Sequence, residues 1–104
     1  MATVDYADDD GNVLTLRQSL SPATVRTIAA ERGKAATSAE DAWQRREEML
    51  FERLTVRWVI AGLPMDDQRM LLGRFRMATS EEREWVRRTL AAHVEAHIPE
   101  LRLG

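Results

Sequence analysis

Apolar and polar residues alternate at the start of the chain. Val4 and Tyr6 are flanked by polar neighbours, as are Leu14 and Leu16, and Asp10-Gly11 stands between the two runs. A period of two on either side of Asp-Gly predicts a β-hairpin over residues 1–17. A two-residue loop at Asp10-Gly11 would set Tyr6 opposite Thr15. A type I turn through Asp9 and Asp10, with Gly11 left-handed, instead pairs Asp8 with Asn12, Tyr6 with Leu14 and Val4 with Leu16. That register gathers all four apolar side chains on one face and is the one expected. Two strands alone are marginal in water, so helices or a partner must cover this face.

Beyond residue 20 the period lengthens to that of helices. Ser21 before Pro22 reads as a cap and first turn, opening a helix over 21–33 that carries Val25, Ile28 and Ala29 and stops at Gly33. The small, polar "GKAATS" follows as a linker. Ser38 with Asp41 opens the longest predicted element, a helix over 38–61, ended by Gly62 and Pro64. Trp43, Leu50, Leu54, Trp58 and Ala61 form one stripe of it, and Met49, Val56, Val59 and Ile60 lie opposite. Leu71 and Phe75 mark a short helix over 66–76. Thr79 and Glu82 make a capping box for a last helix over 80–98, closed by Pro99. That helix has a main stripe of Val86, Leu90, His93, Val94 and His97 and a second of Trp85, Ala92 and Ala96; two stripes imply two packing neighbours. The expected fold is mainly α: an N-terminal hairpin, then a compact bundle of three to four helices around a long central one, in a single domain over 1–104.

Composition changes this picture little. With 44% hydrophobic and 31% charged residues in 104, the chain has a globular balance. The absence of cysteine excludes disulfides, thiolate nucleophiles and cysteine zinc sites. The longest apolar run, Trp58 to Met65, is far short of the ~20 residues of a membrane span, and the N-terminus carries acids where a signal peptide needs bases. A cytoplasmic location with no membrane partner is the expectation. Residues 1–12 hold four acids and no bases, so the remainder carries 15 bases against 13 acids, too even a balance to predict a polyanion partner.

Each candidate for chemistry has a plainer reading. With Gly11 placed sixth in a calcium loop, Asp8 and Asp10 fall at ligand positions, but Tyr6 occupies the first and Arg17 the twelfth, where the bidentate glutamate belongs. Turn-favouring aspartates explain the same letters. His93 and His97 share a helical face with Glu100 a turn beyond, a low-order metal site; "HVEAH" lacks the glutamate of a zinc-protease helix, and both rings lie among apolar residues. Ser21, Ser38, Thr79 and Ser80 sit at helix starts, where capping accounts for them. Glu47-Glu48 and Glu81-Glu82 point apart on helices and read as solvated faces. No catalytic residue and no cofactor are expected. Arg69, Arg74, Arg76, Arg83, Arg87 and Arg88 could form a nucleic-acid face, diluted by Glu81, Glu82 and Glu84. Trp43 and Trp85, with the hairpin face of Val4, Tyr6, Leu14 and Leu16, are the candidates for a protein interface. The leading expectation is thus a non-catalytic interaction module, an adaptor, chaperone or assembly factor that binds another protein or itself. A small nucleic-acid regulator and a metal-binding protein are the alternatives.

The segment "DDDGNVLTLRQSLSPATV", through Asp10, Gly11, Leu14, Thr15, Leu16 and Arg17, resembles small phage tail assembly chaperones, in which a DG-centred strand pair ending in T-L-R leads into helices. The resemblance covers residues 5–25. It implies binding to a long, helical tape-measure protein through apolar surface, with no catalytic residues.

Overall fold

The computed structural model describes residues 2–30 and 39–101, the side chains of 39–43 excepted. The predicted linker, the Ser38 cap and the side chain of Trp43 lie outside the described residues. Two strands open the chain, β1 (Thr3–Ala7) and β2 (Val13–Arg17), followed by helices α1 (Pro22–Ala30) and α2 (Ala39–Leu54). The same order then recurs: β3 (Thr55–Ile60), β4 (Leu63–Met65), α3 (Gln68–Arg76) and α4 (Ser80–His97), with a 3-10 turn at Pro99–Leu101. The strands form one antiparallel sheet in the order β1-β2-β3-β4.

This corrects the expected helical bundle. There is no central helix over 38–61: α2 stops at Leu54, and the chain passes directly into β3. Thr55, Val56, Val59 and Ile60 are β-branched, stiff at χ1 and better suited to a pleated surface than to a helix interior. Gly62 and Pro64, read as helix terminators, instead shape a second hairpin. Its two-residue loop has positive φ at both Ala61 (52°) and Gly62 (79°), the type I′ pattern that matches the twist of paired strands.

The first hairpin has the expected register: Val4 faces Leu16, Tyr6 faces Leu14, and Gly11 has φ 81°. Asp8 ties its turn together. One carboxylate oxygen accepts from the backbone N–H of Asp10 and of Asn12, each at 2.9 Å, and the other accepts from the Asn12 side-chain amide at 3.0 Å. The Asn12 Oδ1 in turn accepts from the Ala61 N–H at 3.0 Å, joining the two hairpin ends. β2 and β3 pair Val13 with Val59, Leu14 with Trp58 and Thr15 with Arg57; Leu16 then faces Thr55, leaving Val56 as a bulge where the chain leaves α2.

The hairpin face is covered by the chain's own helices. Leu14 and Leu16 have no exposed surface and join Trp58, Leu50, Phe51 and Leu54 in one core with Leu71 and Phe75 of α3 and Val86, Leu90 and Val94 of α4. Phe51 stacks on Phe75 at 4.5 Å between centroids and meets Trp58 edge-on at 5.7 Å. Each such side chain contributes about 1.5–3 kcal/mol through burial. Ile28, Ile98 and Leu101 close the core. The opposite face of the sheet carries a cross-strand row of Ala7, Val13, Val59 and Pro64, each half-buried or exposed. The helices start where their caps stand: Thr79 and Glu82 make the capping box of α4, and Asp67 caps α3 by accepting from the N–H of Arg69 and Met70.

Candidate functional site

Backbone pairing fixes which strand groups remain open. In an antiparallel ladder, residues alternate between those bonded to the neighbour and those whose N–H and C=O point away from it. The Asp8 N–H bonds to the Asn12 carbonyl and the Gln18 N–H to the Ala2 carbonyl, each at 3.0 Å, so the even residues of β1 face β2. Thr3, Asp5 and Ala7 therefore turn their backbone groups to the outer edge. Within the strand, that edge is unpaired among the described residues. The opposite edge differs: the two-residue loop makes Ile60 and Leu63 the bonded closing pair, so Pro64, facing Val59, is the residue of β4 that points outward, and it has no N–H to offer.

A cleft of about 430 Å³ lies beside the end of β1. Tyr6, Ala7, Asp8 and Asp9 form one wall, and Trp85, Arg88, Thr89 and Ala92 of α4 form the other. Ala7 belongs both to the open edge and to this cleft. Trp85, Thr89 and Ala92 lie at helical spacing on α4, so part of its second stripe is left facing the cleft while Val86, Leu90, His93 and Val94 of the main stripe are buried. An adjoining hollow adds Asp10, Glu81 and Glu82, which makes the rim acidic, with Arg88 the basic residue among its lining. A separate polar cleft of about 440 Å³ is lined by Arg17, Arg53, Glu52 and Gln68 together with Ser19, Leu20, Ser21 and Thr24. Its charges are mixed, and the Ser21 and Thr24 hydroxyls already meet at 2.9 Å.

Behind the first cleft, Tyr6 is pinned by a histidine. Arg17's carbonyl can only accept, so the His93 Nε2–H donates to it at 2.8 Å, and Nδ1 is left to accept from the Tyr6 hydroxyl at 2.7 Å. His93 is fully buried and neutral: burial pushes its pKa below the ordinary histidine value, with the neighbouring His97 acting in the same direction and the Arg17 carbonyl opposing. Burial also raises the Tyr6 hydroxyl above its usual range. Both ring nitrogens of His93 are thus engaged. The His97 ring lies 4.8 Å from that of His93 but is exposed, as is Glu100, and no group of three metal-ligating side chains occurs among the described residues.

Of the six arginines of the alternative nucleic-acid face, four brace neighbouring elements. Arg74 pairs with Glu82, Arg76 meets Glu48 at 3.1 Å, and Arg83 donates to the carbonyls of Phe75 and Arg76 and lies over the Phe75 ring. Arg87 reaches Glu47 at 3.1 Å and Glu84 at 3.4 Å, and Arg88 approaches Glu84 at 4.0 Å. Arg69 is exposed at the start of α3. Glu47, read as solvated, is instead buried at 2% exposure and held by Arg87 between α2 and α4. The Thr79 N–H, with Arg74 assisting, holds the Glu82 carboxyl below the usual glutamate range.

Of the interface candidates, Leu14 and Leu16 belong to the core, Val4 is half-buried, Tyr6 is half-buried against the core, and Trp85 lines the cleft. Asp8 and Asp9 as a wall opposite Trp85 had no local signal, because only the packing of the hairpin on α4 brings them together. Among the described residues, Leu63, Met70 and Met77 are the large apolar side chains left most exposed, on β4 and on α3 and its end. No helix among the described residues is long and apolar enough to cross a membrane. Protein-family models, curated proteins and solved structures offer no match to this chain.

Proposed function

We propose that this chain is a non-catalytic protein-interaction module that holds a partner in the cleft between the end of β1 and α4. The observation that supports it is the second stripe of α4: Trp85, half-buried, and Ala92, exposed, line a concave wall with Thr89 where a packing neighbour is expected and the described residues supply only the rim of the hairpin. Tryptophan in a concave, partly desolvated site is the side chain that most often anchors a protein contact. The resemblance of residues 5–25 to small phage tail assembly chaperones supports the narrower reading of an assembly factor for a long structural protein.

The test compares wild type with Trp85→Arg as bait in lysate of the native cell. A stoichiometric protein retained by the wild type and lost by the variant, at matched melting temperatures, is the expected result. Equal retention by both, or none by either, overturns the proposal.

A further inference from the structure

Resting on that reading, we infer that the partner enters as an extended, lysine- or arginine-bearing segment that adds a fifth strand to the open edge of β1, placing alternate side chains against α4. Thr3, Asp5 and Ala7 offer three N–H and three C=O groups in a row, spaced for a peptide strand. No proline or bulge interrupts them, and the one charge on the strand, Asp5, is a blunting device against a second copy or an acidic segment but not against a basic one. Ala7 carries the edge into the cleft, so an added strand would run beside the wall formed by Trp85, Thr89 and Ala92. Strand addition takes affinity from the main chain and selectivity from pockets that receive every second side chain.

Charge decides the occupant. Asp5 lies on the edge strand, and Asp8, Asp9, Asp10 and Glu81 line the cleft and its adjoining hollow against Arg88. Asp8 and Asp5 already accept hydrogen bonds from their own hairpin. A second copy adding through its own β1, antiparallel and centred on Asp5, would set Asp5 against Asp5. Like charges directly opposite destabilise a strand pair. A basic segment of another chain gains where a second copy loses.

The probe is a synthetic peptide of alternating lysine and valine, long enough to span β1, titrated into the full chain at low salt. Amide exchange of the protein is followed by NMR. Binding is expected to slow exchange at Thr3, Asp5 and Ala7 and to leave Val4 and Tyr6, already bonded to β2, unchanged. A glutamate-for-lysine peptide is expected to bind at least ~10-fold more weakly, with the gap narrowing at high salt. A peptide N-methylated on the residues facing β1 is expected to lose affinity by a similar factor. Shifts at the Trp85 indole without slowed exchange at the three edge amides overturn strand addition while leaving the interaction module intact. No binding up to ~1 mM, or tighter binding of the glutamate peptide, also overturns it. So does a concentration-dependent dimer that protects the same three amides without peptide, since the occupant is then a second copy.

Discussion

The two outer strands of the sheet end it in opposite ways. β4 has three residues, and its one outward-facing position is Pro64, which cannot donate. β1 has five residues and presents three complete peptide groups beside a cleft floored by α4. Both strands are joined to the centre by well-formed turns, so the contrast does not reflect a weaker hairpin. It shows uneven blunting: proline closes the edge away from the cleft, whereas no described residue pairs with the edge next to it.

The largest effect that would test this contrast comes from the inner strand that carries β1. Leu14 is fully buried between Tyr6 and Trp58, and Leu14→Ala is expected to cost about 2–5 kcal/mol in urea unfolding. Leu63→Ala, at 71% exposure on β4, should change stability by less than ~0.5 kcal/mol. Equal losses would mean that the core is not built as described. A smaller effect concerns what pins β1 to α4. Tyr6→Phe leaves the buried His93 Nδ1 without its donor and is expected to cost about 1–3 kcal/mol. The same pair gives a pH dependence. His93 has a lowered pKa in the folded chain, so the unfolded chain takes up its proton first, near 6.5. Its contribution is complete above that value and is lost as pH falls from there through the lower folded value. Unfolding midpoints of wild type and His93→Leu, followed from neutral pH to about pH 5, should therefore converge as the wild type weakens; parallel lines would refute the assignment.

The turns give a finer comparison. Gly11 holds the left-handed position in the first loop, whereas Ala61 has φ 52° in the second, a conformation costly for a residue with a Cβ. Ala61→Asn, suited to a type I′ turn, is expected to raise stability by about 0.5–1 kcal/mol, seen as a higher melting temperature. Least visible in stability, within ~0.5 kcal/mol, should be Pro64→Val. It restores an outward N–H to β4, and sedimentation should show mass rising with concentration beyond that of the wild type. If it does not, proline is not what blunts this edge.

The first hairpin was legible because its apolar residues fit a period of two and only one register, set by Gly11, keeps them on one face. The second was not, because Trp58, Val59 and Ile60 are apolar in succession and satisfy a helical period as well as a strand. The clue that a strand began at Thr55 was the density of β-branched residues, and it was outweighed by the continuous pattern running in from Leu50 and Leu54. Trp85 was separable as off its helix's main stripe, but its opposite wall of Asp8 and Asp9 exists only through long-range packing. Glu47 shows the same limit: burial of a carboxylate beside Arg87, distant in sequence, has no local mark.

Pro64 also bears on how far such a sheet can propagate. Contact between β1 of one molecule and β4 of the next is a heterologous pairing, and repeated it yields an open fibre rather than a closed assembly. Removing the outward donor of β4 takes away one half of that pairing, while the charge of Asp5, at the middle of β1, opposes the alternative seam of β1 with itself. What is left is an edge of β1 that no described residue pairs with and that β4 of another molecule is poorly made to fill, so stacking of one sheet on the next is disfavoured at its first step.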